Sequence, residues 1–163
     1  MSLVSNNIKV YGNLKYGKEV RIDDGCIFTG DVEIGDYVHI APYCVFNGGA
    51  GIKIGSFCGF STFTVIHTKS DDFSGEMLFG PTLPKSMTRV KSVPLVIEDY
   101  VLIGVRGTVI TVPVLPEGFC LGANSLLLEE PEEWSIYGGS PAAYLKSRKK
   151  QCKALMETLH FRV

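Results

Sequence analysis

The chain lacks several things, and each absence excludes a class. No apolar run reaches the ~18 residues that a membrane-spanning helix needs. The opening Met1-Ser2-Leu3-Val4-Ser5 has no basic region followed by an apolar stretch, so no secretory signal is expected and a cytoplasmic location is the default. Charge of one sign is missing too: 16 Lys and Arg oppose 17 Asp and Glu, for a net −1. That balance offers no whole-molecule attraction for nucleic acid or an acidic membrane surface. The five cysteines, Cys26, Cys44, Cys58, Cys120 and Cys152, are an odd number without a secretory signal and include no CxxC pair, which argues against a disulfide framework. Only three histidines are present, none at ligand spacing from a cysteine, so no metal site is expected. The 163 residues suit one domain with a sizeable core, and 45% apolar against 20% charged residues is a globular composition.

What is abundant is glycine, 18 residues, and it is spaced. Val32-Glu-Ile-Gly-Asp-Tyr is followed by Val38-His-Ile-Ala-Pro-Tyr and then by Cys44-Val-Phe-Asn, a six-residue rhythm. Ile8, Leu14, Val20 and Cys26 share its phase, and Ile52, Cys58 and Thr64 follow after a slip of two residues near Gly48-Gly49. The phase resumes at Leu95, Val101 and Gly107, and with a slip of one near Pro113 it continues at Val114, Cys120 and Leu126. Two residues beyond each of these runs a second apolar column: Val10, Tyr16, Ile22, Phe28, Ile34, Ile40, Phe46, Ile54, Phe60, Ile66, Ile97, Ile103 and Val109. A period of six fits neither an α-helix nor an alternating strand. It fits an all-β solenoid with three six-residue sides per coil. Gly35, Gly55, Gly104 and Asp23-Asp24-Gly25 fall at the corners. Cys26, Cys44, Cys58 and Cys120 then read as small core residues rather than nucleophiles.

The rhythm breaks at about 69–94, a stretch rich in Asp, Ser, Gly, Pro, Lys and Arg. A loop of that length inside a regular solenoid is more often functional than not. After Leu128 the pattern ends. Pro141 suits the first position of a helix, which is expected to run to about Leu159 with an apolar stripe of Leu145, Cys152, Leu155, Met156 and Leu159. Lys146, Arg148, Lys149, Lys150 and Lys153 form its basic face. An open solenoid end calls for such a cap. Gly12-Asn-Leu-Lys-Tyr-Gly17-Lys18 imitates a phosphate loop, but Glu19 stands where Ser or Thr is required and no helix follows.

The stretches Val96-Ile-Glu-Asp-Tyr-Val-Leu-Ile-Gly104, Gly122-Ala-Asn-Ser-Leu126 and Tyr137-Gly-Gly-Ser-Pro-Ala-Ala-Tyr144 resemble the hexapeptide-repeat acyltransferases. The block Thr68-Lys-Ser-Asp-Asp-Phe-Ser-Gly-Glu76 with Gly80-Pro-Thr82 is similar to the branch that modifies sugars for surface polysaccharides. The resemblance implies a left-handed parallel β-helix over residues 1–130 with an extruded loop, then a cap segment and C-terminal α-helix over 131–163. It further implies a homotrimer with active sites between neighbouring coils, acetyl-CoA or another acyl-CoA as co-substrate, and a small-molecule sugar acceptor, nucleotide-linked.

Acyl transfer from a thioester needs the acceptor held against the carbonyl, donors for the developing oxyanion and, for a hydroxyl acceptor, a base. In the family's O-acetyltransferases that base is a histidine at the start of the inserted loop, and the matching position here is about Asp71. Two options follow. His67 reaches the site from the side of the coil and serves a sugar hydroxyl as base, or Asp71 or Asp72 holds a sugar amine. The amine acceptor, and hence N-acylation of an amino-sugar nucleotide, is favoured. The resemblance assigns the backbone of Gly104, Val105, Gly122 and Ala123 to the pantetheine arm. Glu129 stands where a basic residue often follows the Ala-x-Ser turn, which leaves Lys146 and Arg148 to hold the 3′-phosphate. Trp134 and Tyr137 pack on the helix or on adenine, the helix being favoured. His39 reads as a surface or interface residue, and His160 lies near the helix end.

Overall fold

The computed structural model describes residues 1–159. The chain winds into a left-handed parallel β-helix. On one side Leu3 pairs with Arg21, Arg21 with His39, His39 with Gly59, Gly59 with Leu102, Leu102 with Cys120 and Cys120 with Ile136, all parallel. The strands Lys9–Tyr16, Ile27–Ile34 and Val45–Ile54 turn a corner and serve the other two sides. Each hexad places its first and third apolar residues inward because alternate residues of a strand face opposite ways. The resulting core stacks Cys26 over Cys44 and Phe28 over Phe46, whose rings lie 5.3 Å apart, with Phe60 edge-on to Phe46 at 5.1 Å.

Two corners are built on aromatic side chains in the left-handed backbone region. Tyr37, Phe57 and Tyr100 have φ of 57°, 59° and 63°, and their rings stack at 5.1 and 5.2 Å. Tyr43 and Phe63 do the same at a second corner, with rings 5.4 Å apart and the Arg106 guanidinium above Phe63. Positive φ costs a bulky residue free energy, and stacking along the solenoid offsets it. One rung of the first column carries Gly118, at φ 70°, where a Cβ would lie 2.3 Å from the Trp134 ring. The glycine lets buried Trp134 lie over the coil end and close the column against Tyr100 at 5.9 Å.

The slip of one residue anticipated at Pro113 does not occur. Val96 pairs with Val114, Leu102 with Cys120 and Thr108 with Leu126, so the eighteen-residue coil continues unbroken. The inward residues are Leu115, Phe119, Leu121 and Leu127. Cys120 is half-buried between Phe119 and Leu121 on the outward phase, and leaves the set of core cysteines. Cys26, Cys44 and Cys58 are buried, with their thiols against the carbonyls of Ala41, Ser61 and Glu98 at 3.2 Å. Burial pushes the Cys58 thiol up to about 12, a value that suits packing rather than nucleophilic chemistry.

The C-terminal segment also differs from expectation. Ala142–Ser147 is a strand that returns antiparallel along Ser135–Gly139, and the helix is confined to Gln151–Leu159. The last parallel rung would otherwise expose a row of unpaired N–H and C=O groups, and the returning strand satisfies them. The apolar stripe is therefore not continuous: Leu145 and Leu155 are exposed, while Cys152 and Met156 are half-buried. The Leu159 side chain and His160 lie outside the described residues.

Candidate active site

Two interruptions of the coil meet at one place. The first is a bulge: Gly30 pairs with Gly48 but Val32 pairs with Ile52, so Val45–Ile54 holds two extra residues. The second is the loop, whose root is an antiparallel ribbon of Lys69–Asp71 and Val90–Ser92. Thr68, fully buried, ties the two together. Its hydroxyl donates to the Asn47 carbonyl at 2.9 Å and accepts from the Ala50 N–H at 3.0 Å, while its own carbonyl accepts from the Val93 N–H at 2.8 Å. Between bulge and ribbon opens a cleft of about 910 Å³ lined by Asn47, His67, Lys69, Asp71, Phe73 and Lys85 among others.

His67 and Asp71, two residues named from the sequence, line this cleft together. His67 is half-buried, with Nδ1 3.3 Å from the Asn47 amide nitrogen, and the Asn47 amide oxygen accepts from the Thr29 hydroxyl at 2.9 Å. Asp71 is exposed and one carboxylate oxygen accepts from the Gly80 N–H at 3.3 Å. Asp72 is turned away from the cleft into the loop. Its Oδ1 accepts from the Ser74 N–H at 2.8 Å, and its buried Oδ2 faces Arg89 at 3.5 Å. Hydrogen bonding from Ser74 holds this carboxyl below its usual range, with the Arg89 charge adding to the effect. Arg89 also bridges to Glu76 at 2.9 Å, so the trio braces the loop tip. The cations Lys69 and Lys85 were not singled out from the sequence, because lysines in a polar loop carry no distinguishing pattern. Thr29, Asn47 and His67 did carry one: they occupy the same rung position on successive coils.

The four positions tied to the pantetheine arm stack at another corner. The N–H groups of Gly104 and Gly122 are committed to the ladder, donating to the carbonyls of Leu121 and Tyr137 at 2.8 Å each. Those of Val105 and Ala123 make no protein hydrogen bond among the described residues, and both residues are exposed. Lys146 is exposed on the returning strand. Arg148 is directed into the coil end, where Nη1 donates to the carbonyls of Tyr100 at 2.6 Å and Gly118 at 2.9 Å and the guanidinium lies over the Trp134 ring. This geometry makes it a clamp on the cap, in contrast with the surface phosphate ligand anticipated. Trp134 packs against the cap's cations rather than standing open to a ligand, with Lys150 and Lys153 over its ring at 5.4 and 5.8 Å. His39 sits on a different side of the prism, bonded to Asp23 at 2.8 Å. No group of three or more His, Cys, Asp or Glu side chains able to hold a metal occurs among the described residues. The phosphate-loop imitation lies within the strand Lys9–Tyr16 and its following corner.

A β-helix interrupted at one coil, with a cleft at the interruption and free backbone donors at an exposed corner, has the architecture of a hexapeptide-repeat transferase. Residues 17–48 match the family model described as bacterial transferase hexapeptide (six repeats). The chain is 31% identical over 153 residues to dTDP-4-amino-4,6-dideoxy-D-glucose acyltransferase of Escherichia coli, covering 91% of this chain and 80% of that relative. It is 28% identical over 145 residues to the putative lipopolysaccharide biosynthesis O-acetyl transferase WbbJ of Escherichia coli (strain K12), covering 86% and 72%. It is also similar to the crystal structure of a single-residue variant of AntD, an N-acyltransferase from Bacillus cereus, in complex with dTDP-4-amino-4,6-dideoxyglucose and coenzyme A. There the TM-score is 0.95, the identity 35%, and the match covers 99% of this chain and 88% of that one. The chain belongs to the hexapeptide-repeat acyltransferase family.

Proposed function

We propose that this protein transfers an acyl group from an acyl-CoA thioester to the amino group of a nucleotide-linked amino sugar, a modification that serves surface polysaccharide synthesis. The observation that carries the reading is the cleft itself: a carboxylate, Asp71, and an imidazole, His67, line it together with two lysines where the bulge and the loop interrupt the coil. Asp71 holds the acceptor amine by accepting its N–H bonds, and Lys69 and Lys85 face the diphosphate of the nucleotide. The unprotonated amine attacks the thioester carbonyl. The C–N bond forms as the C–S bond breaks, and the amine's surplus proton passes to the departing thiolate, so coenzyme A leaves as its thiol. No base is needed for an amine that is already neutral. The pantetheine arm runs past the corner of Gly104, Val105, Gly122 and Ala123, where the N–H groups of Val105 and Ala123 are the available donors. Lys146 is the cap cation placed to meet the cofactor phosphate. The protein acts as a homotrimer in the cytoplasm, where acyl-CoA and nucleotide sugars are made. The outward residues Ile27, Val45, Val65 and Leu126 on one side of the prism are half-buried and apolar, suited to packing against another copy.

The test is release of coenzyme A thiol from an acyl-CoA in the presence of a dTDP-linked amino sugar, beside the same nucleotide sugar bearing a hydroxyl in place of the amine. Release that depends on the amine is expected. Release with the hydroxyl compound alone would overturn the reading in favour of O-acylation with His67 as base.

A further inference from the structure

The side chains of Thr29, Asn47 and His67 form a column along the solenoid, and their hydrogen bonds run in one direction. The Thr29 hydroxyl donates to Asn47 Oδ1 at 2.9 Å, which leaves the Asn47 amide nitrogen facing His67 Nδ1 at 3.3 Å. An amide nitrogen can only donate. With the amide in this orientation the imidazole nitrogen it faces accepts, and in a neutral ring the proton then resides on Nε2. On the next coil the position paired with His67 is Ile110, whose side chain offers no polar atom, so Asn47 is the side-chain partner of the imidazole among the described residues.

We infer that Thr29 and Asn47 are positioning residues that hold His67 in its Nε2–H tautomer, so that the imidazole meets the bound substrates as a hydrogen-bond donor and not as a base. The inference rests on reading the cleft as the acyl-acceptor site, and it deepens that reading. A base needs a lone pair on the nitrogen that faces the cleft. With Nδ1 occupied as an acceptor, the neutral ring has none to offer there. An Nε2–H donor serves an amine acceptor, whose own lone pair attacks the thioester, and it does nothing to deprotonate a hydroxyl.

The tautomer is directly observable. Protein labelled with 15N-histidine is measured by long-range 1H–15N correlation at about pH 8, where an imidazole is neutral, with the His67 signals identified by their loss in His67→Gln. The expected pattern is an unprotonated Nδ1 and a protonated Nε2. Asn47→Asp presents only acceptors to the ring and is expected to reverse the pattern, moving the proton to Nδ1. In turnover, His67→Ala is expected to lose about 100-fold, the scale of a removed donor at a reacting centre. His67→Gln keeps a donor but cannot take up a proton, and is expected to recover at least about tenfold of that loss. A wild-type proton on Nδ1, an unchanged pattern in Asn47→Asp, or a His67→Gln enzyme as slow as His67→Ala would each overturn the inference. The tautomer is read without substrate. Failure of acyl transfer to an amino-sugar nucleotide would therefore sink the proposed function while leaving the tautomer assignment standing, and the converse holds.

Discussion

Replacing Thr68 with valine keeps the shape of a buried side chain and removes only its hydroxyl. That hydroxyl joins the bulge to the loop: it donates to the Asn47 carbonyl and accepts from the Ala50 N–H. The Asn47 carbonyl keeps a partner, because the Thr68 N–H donates to it at 3.0 Å. The Ala50 N–H does not. A half-buried donor left without an acceptor costs about 1–3 kcal/mol and the lost hydroxyl bond somewhat less, so a destabilisation of about 2 kcal/mol is expected. For a chain of this size that corresponds to a fall in melting temperature of about 4–8 °C. The same change frees the bulge to move against the ribbon, so KM for the acceptor is expected to rise while that for acyl-CoA stays put. The assay is thermal unfolding at fixed protein concentration beside steady-state kinetics with each substrate varied, and Thr68→Ser serves as control because it retains both hydrogen bonds. The reasoning is refuted if Thr68→Val melts with the wild type, or if Thr68→Ser is the more damaged of the two.

The two adjacent carboxylates separate by environment. Asp71→Asn is expected to lower kcat/KM for the amine acceptor about 100-fold with little change in melting temperature, whereas Asp72→Asn, which loosens the Arg89 brace, should affect turnover far less; equal losses in the two variants would contradict the geometry. Gly118→Ala places a Cβ against the rigid Trp134 ring in a positive-φ position, so a loss of about 2–4 kcal/mol is expected in denaturant unfolding, and a variant as stable as wild type would show that Trp134 does not pack there. The hydrogen bond from Lys153, 2.6 Å away, holds the Glu117 carboxyl below the usual carboxylate range. A depressed folded pKa means that this contribution is present above the unfolded value and is lost as pH falls through the folded one. The wild-type melting temperature should therefore drop more steeply than that of Glu117→Gln below about pH 4.5, and parallel acid profiles would remove the pair from the account of stability.

The period of six was enough to define a three-sided solenoid, and its left hand came from the family resemblance. A side chain that recurs every sixth residue at the same phase can be buried only if the chain turns at the same interval, so Val20, Cys26 and Val32 imply a three-sided prism before any coordinates exist. The break near Lys69 likewise announced where the prism is open, and the resemblance to the family's O-acetyltransferases pointed to Asp71 at the start of the loop, with His67 four residues before it. Other features required the folded molecule. Val114, Cys120 and Leu126 are apolar although they face outward, so hydrophobicity alone placed them in the core, and only the pairing of Val96 with Val114 and Thr108 with Leu126 shows the unshifted phase. Asp71 and Asp72 are chemically identical neighbours. Which of them meets the cleft is decided by Arg89, which lies across the loop and draws Asp72 inward. Ala142–Ser147 has residues that suit a helix, yet it pairs as a strand because the exposed rung beside it demands partners that local propensity does not register. Arg148 follows from the same event, since the returning strand delivers its guanidinium to the carbonyls at the coil end. Periodicity along a chain encodes which side chains share an interior. Contacts between residues far apart in sequence, and the direction in which a polar group turns to satisfy them, exist only once the coils are stacked.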